Sequence, residues 1–198
     1  MYPTLRDNKD YTSIVNDKQY NRLQGYLEDA RDQGASIVEL NSKNEPLTEV
    51  RKIAPTLLTG VTTEMDIMKN EIFGPILPIL EYEHIEDALQ FINSRPRPLA
   101  FYYFDIDMAR ADYVAGRTHS GHFGINQTLT HVAQDDLPFG GIGAPGMGKY
   151  HGKEGFFSFS HERSVMSNPV SPKLYSLKFI LPPYNKAAHK LLLKTLFR

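Results

Sequence analysis

Gly141, Gly143 and Gly146 stand in the spacing G-x-G-x-x-G, and Gly143, Gly148 and Lys149 in the overlapping spacing G-x-x-x-x-G-K. Glycines so spaced can cradle phosphates. In the first pattern a strand turns tightly into a helix whose free amides hold a pyrophosphate; in the second, a lysine and the hydroxyl after it serve a triphosphate and its magnesium. Neither chemistry fits the flanking residues. "VAQDDLPF" before the glycines is a poor strand, Pro145 removes an amide where donors are wanted, and too little chain follows to complete a dinucleotide-binding unit. Position 150 is Tyr where the second pattern needs Ser or Thr. The glycines then read as a loop that lets backbone pass close to other elements.

Two residue pairs have ligand-like spacing, His119 with His122 and His131 with Asp135. That spacing serves a metal on a helix. Gly121 and Gly124 argue against a helix at the first pair, and 131–136 is irregular, so no metal site is expected. The chain contains no cysteine. It therefore supplies no disulfide, no thiolate ligand and no thiol nucleophile.

The elements that must position these residues follow from apolar spacing. Tyr20, Leu23, Leu27 and Ala30 recur at helical intervals, with Gly34 as the stop. "SIVEL" (36–40) and "PTLLTGV" (55–61) read as short strands. "PILPIL" (75–80) and "LAFYYF" (99–104) are unbroken apolar runs, suited to strands buried on both faces. Ile85, Ala88, Leu89 and Ile92 mark a helix between them. Met108, Ala111 and Ala115 mark another before a strand at "HFGIN" (122–126). This alternation predicts an α/β fold with right-handed parallel crossovers. After Asn126 regularity stops for about 25 residues, a length of loop usually tied to function.

With 41% hydrophobic and 23% charged residues, the chain reads as one soluble globular domain. It has no run long enough to span a bilayer and no leader-like start, which points to a cytoplasmic protein. Seven of the 22 Lys and Arg lie in the 36 residues after Glu162, the last acidic residue. These bases are mixed with Leu, Phe and Tyr, and 182–198 reads as a short basic amphipathic helix. The mixture points to a tail that packs on protein rather than on nucleic acid or a membrane.

"NEIFGPILPIL" (70–80) resembles the E-I-F-G-P signature of the aldehyde dehydrogenase superfamily. "LPFGGIGAPGMGKYHGKEGFFSFSHER" (137–163) resembles that family's C-terminal block. "YHGKEGF" (150–156), "INSRPRPLAFYYF" (92–104) and "ILPPY" (180–184) point to its class 3 branch. The resemblance covers nearly the whole chain. It implies the parallel-sheet catalytic domain of that fold, truncated before its nucleophile. Residues 1–160 would be the C-terminal part of the catalytic domain, and 161–198 an oligomerisation strand, at "HERSVM" (161–166), with a basic tail.

By the same resemblance, Glu71 matches the glutamate that hydrogen-bonds the nicotinamide ribose, and Phe73 the aromatic residue beside the nicotinamide. The cofactor is NAD or NADP. Phe139 is a candidate wall of the substrate tunnel, near Asn126 and the glycine loop, for an aromatic or apolar aldehyde such as coniferyl aldehyde. The family's cysteine, general-base glutamate, oxyanion asparagine and dinucleotide-binding domain all lie upstream of the matched blocks. The chain alone is therefore expected to be inactive, prone to association, and a homo-oligomer in its full context. "GAPGMG" departs from the family in carrying Pro145 where Ser is common. A second reading is a non-catalytic assembly fragment that associates through the exposed strand.

Overall fold

Asn16 opens the first helix. Its side chain accepts from the Gln19 amide, and α1 runs Asp17–Asp32. The helix ends at Gly34, whose φ of 91° no side-chain-bearing residue adopts easily. There the Ala35 amide reaches the Ala30 carbonyl and the Gly34 amide the Arg31 carbonyl, which satisfies two otherwise orphaned acceptors. The computed structural model describes residues 2–167 together with Ala187, Lys190, Leu191 and Lys194. These divide into two compact units, 1–91 and 92–198.

In the first unit β1 (Ser36–Glu39) pairs antiparallel with β2 (Thr56–Thr59), and β2 pairs parallel with β3 (Ile76–Pro78). Leu23, Leu27 and Ala30 of α1 pack against Leu58, Met65, Ile67 and Ile76, all buried. The spacing of the three α1 residues puts them on one helical face, and that face supplies the core. The N-terminal segment is strapped down from two sides. The Glu45 carboxylate accepts from the amides of Leu5 and Arg6, while buried Lys52 donates to the carbonyls of Leu5, Arg6 and Asn8. An ammonium has three donors, and here all three are used.

The boundary between units falls in the last turn of α2 (Ile85–Asn93). In the second unit β4 (Ala100–Tyr103) and β5 (His122–Ile125) are parallel, joined through α3 (Met108–Ala115). Asp107 caps α3 by accepting from the Ala109 and Arg110 amides, and Ala111 and Val114 are its buried contacts. A 3-10 turn (Thr130–Ala133) and α4 (Gly152–Ser158) bracket the glycine loop.

Every expected strand and helix up to β5 is present within a few residues, with β3 in a three-stranded sheet and β4 in a two-stranded one. One expectation fails: the apolar runs are not buried on both faces. Leu77 is 58% exposed and Phe104 62% exposed, because strands at the margins of such small sheets have open faces. Residues 161–167, which contain the segment 161–166 assigned to a strand shared with another subunit, are exposed and pair with no strand among the described residues. The four described residues beyond them are helical; "ILPPY" and the rest of 168–198 lie outside the described residues. Among the described residues no helix is long and apolar enough to cross a membrane.

Candidate functional site

The turn from residue 70 to 75 is held by α1. Arg22 donates to the carbonyl of Glu71 at 3.0 Å and to that of Ile72 at 2.7 Å. The guanidinium is oriented by Gln19 and Tyr26, four positions along the same helix face and over whose ring it lies at 5.1 Å. Gly74 follows, packed so closely on Leu23 that an added Cβ would lie 2.6 Å from a Leu23 methyl. The Pro75 carbonyl then receives the Thr56 amide and starts β3.

Between these fixed points Phe73 has φ 49° and is 81% exposed. A left-handed aromatic residue costs on the order of 1–3 kcal/mol, and exposing the ring returns none of it. The anchors on either side hold the strained residue, so its ring projects outward. It borders a cleft of about 380 Å³ with Ile14, Val15, Gln19 and Pro75. Glu71 is exposed, and its carboxylate makes no hydrogen bond among the described residues. An ionised carboxylate in that state has both oxygens free to accept. Glu71 and Phe73 thus share one pinned loop of the first unit.

In the second unit the site region starts at the carboxyl ends of β4 and β5, where ligands of open α/β sheets usually bind. Asn126, with φ 52°, uses its side chain to bridge Asp105, accepting from the Asp105 amide at 3.0 Å and donating to its carbonyl at 2.8 Å. Asp105 also grips Arg110 with both oxygens and accepts from Tyr103. These bonds, led by Arg110, hold its carboxyl well below the usual range.

The glycine loop is shaped by close backbone approach. Gly140 lies against the backbone of Gly148, Gly121 against Gly140, and Gly155 against Tyr150, each with no room for a side chain. Gly143, Gly146, Gly148 and Gly152 have positive φ. The Gly146 amide closes onto the Gly143 carbonyl, and the Tyr150 amide onto that of Phe139.

Phe139 sits between two imidazoles. Its ring centroid is 5.7 Å from that of His131 and 5.2 Å from that of His151, with Tyr150 edge-on at 5.4 Å. It lines a cleft of about 350 Å³ with Leu99, Pro145, Met147, Tyr150 and Phe159. The Nδ1 atoms of His131 and His151 are buried without a partner among the described residues. His122 stacks on His131 at 3.7 Å and 4°. His122 Nε2 lies 3.0 Å from the side-chain amide nitrogen of Gln127. Burial, then the neighbouring His131, lowers the His122 pKa. No group of three or more metal-ligating side chains occurs among the described residues.

Two positioning residues escaped the sequence. Arg22 reaches a loop 50 residues away, and nothing in its local pattern sets it apart from a solvated helix residue. The Asn126–Asp105 bridge spans 21 residues; the resemblance places Asn126 near the substrate tunnel, but its hold on Asp105 leaves no mark in the local sequence.

Residues 2–165 match the family model described as aldehyde dehydrogenase family. The chain is 49% identical over 197 residues to a probable coniferyl aldehyde dehydrogenase of Pseudomonas aeruginosa, covering 100% of this chain and 40% of that protein. A substrate-bound structure of Staphylococcus aureus AldH superposes with a TM-score of 0.76 at 40% identity, covering 96% of this chain and 39% of that one. Betaine aldehyde dehydrogenase from the same organism, solved with NAD+, gives a TM-score of 0.66 at 27% identity over 74% of this chain and 29% of that one. The chain spans about 40% of the length of the curated relatives it matches.

Proposed function

The chain belongs to the aldehyde dehydrogenase family, and from that footing we propose that it supplies the C-terminal part of an NAD(P)-dependent enzyme oxidising an aromatic or apolar aldehyde to its acid. Coniferyl aldehyde is the favoured substrate, in keeping with the relative named for it. A nicotinamide cofactor, when bound, accepts the hydride. Glu71 would hold the cofactor's ribose, since an unpaired carboxylate can accept from two vicinal hydroxyls. Phe73 would lie along the nicotinamide and limit its movement. Phe139, within its apolar cleft, would bound the aldehyde's side group.

The observation that carries this reading is the exposed, strained Phe73 on a loop that Arg22 and Gly74 pin from both sides. Strain held in this way is commonly a ligand-facing device. With no cysteine in 198 residues, a thiolate nucleophile has to come from residues outside this chain. The chain by itself would then be inactive. Glu71→Gln and Phe73→Ala test the assignment in an enzyme made whole with the missing portion. Both should raise KM for the cofactor at least several-fold while leaving KM for the aldehyde nearly unchanged; unaltered cofactor kinetics would refute it.

Homo-oligomer formation belongs to the same proposal. Val165 and Met166 are 80% and 88% exposed on the segment after α4. Apolar residues so placed favour a second copy as partner. Light scattering over a concentration series should show association, and a strict monomer would refute it.

A further inference from the structure

The chain ends that follow α2 and α3 meet in the second unit, at the amino ends of β4 and β5. Arg95, Arg97, Arg117 and His119, with Asn93, line a cleft of about 300 Å³. Its walls are fastened to each other in two places. Asn93 donates to the Arg117 carbonyl at 2.8 Å, and the Gly121 amide donates to the Pro98 carbonyl at 3.1 Å. The Arg117 guanidinium lies 3.6 Å over the Tyr113 ring, which fixes its plane.

Arginines near helix ends often serve only the last carbonyls. That explains the Arg117 bond to the Tyr113 carbonyl, at 3.3 Å. It leaves the other donors of that fork unassigned, and it does not reach Arg97, which lies beyond Pro96 and outside both helices. No carboxylate lines the cleft, and neither Arg97 nor Arg117 takes part in an ion pair among the described residues. Arg97 and Arg117 are exposed, and basic groups gathered in a concave site raise the local concentration of anions. A monocarboxylate would neutralise only one. A phosphate group brings nearly two charges and at least three acceptor oxygens, matched to guanidinium forks.

We propose that this cleft binds a phosphate group, either free phosphate or the phosphate of a small monoester. Arg97 and Arg117 donate to its oxygens, and His119 adds an N–H.

The test is calorimetric titration of the 198-residue chain with inorganic phosphate and, separately, with glycerol phosphate, at constant ionic strength. Hydrogen exchange with each ligand then locates the site. The site predicts saturable binding of at least one of the two, with protection centred on residues 92–98 and 116–120. Tighter binding of the ester identifies a monoester as the ligand class, and equal binding identifies phosphate itself. Arg97→Gln with Arg117→Gln should weaken binding roughly tenfold or more, and Arg31→Gln should not. Arg97→Gln alone, on an exposed loop, gives the same direction if the double variant does not fold. Absence of saturable binding, protection elsewhere, or affinity unchanged in these variants would overturn the proposal.

Discussion

Arg22 donates to the carbonyl of Ile72 at 2.7 Å, and this bond ties the middle of α1 to a loop 50 residues further along the chain. With its partner bond to Glu71 it fixes the backbone on which Glu71 and Phe73 stand. Arg22→Met keeps the helix and much of the stem but removes both donors. It should cost about 1–3 kcal/mol of stability. In the whole enzyme it should also weaken cofactor binding without touching a cofactor atom. Denaturant unfolding with cofactor titration checks both, and unchanged exchange at the amides of 71–74 would contradict the role.

Gly74 and Leu23 should be energetically coupled. Gly74→Ala forces a methyl to within 2.6 Å of Leu23 in a packed core, while Leu23→Ala empties that same space. Leu23→Ala alone should cost about 2–5 kcal/mol. The double variant should be more stable than the sum of the singles implies, by about 0.5–3 kcal/mol. Strict additivity in urea unfolding would show that the contact is not felt.

The stacked imidazoles predict a step in stability near neutrality. In the fold the His122 pKa is lowered from its usual 6.5, so the unfolded chain takes up that proton first as pH falls. Stability is therefore complete above about pH 6.5 and declines as pH falls from there through the folded value. Asp29, held low by the Asp66 amide, and Glu45, held low by the Arg6 amide, act separately and further down. Their contributions are present above about pH 4.5 and are lost as pH falls through their lowered values. Melting temperature against pH should show both declines, and His122→Gln should remove only the upper one.

What was legible in the sequence was local. The apolar spacing of Leu23, Leu27 and Ala30, the stop at Gly34 and the short strands all appear where neighbouring residues place them. The reading of the glycines as a loop of close backbone approach was also legible, and Gly140 against the Gly148 backbone bears it out. What was not legible depended on distant partners. Whether Leu77 is covered is decided by what packs on its sheet, which a run of apolar residues does not encode. The hold of Arg22 on residues 71 and 72, and of Asn126 on Asp105, are long-range bonds between side chain and backbone, and they leave no periodic trace. The His131–Phe139–His151 stack likewise joins residues whose spacing suggests nothing.

The most direct test measures aldehyde-dependent NADH or NADPH formation, with coniferyl aldehyde as substrate. The chain is assayed alone and then mixed with the upstream portion of a relative that carries the cysteine. The account predicts no turnover from the chain alone, turnover in the mixture, and a higher cofactor KM when the chain carries Glu71→Gln. Turnover by the chain alone would contradict it, since oxidation would then proceed without any cysteine. A properly associated mixture that stayed inactive would also contradict it.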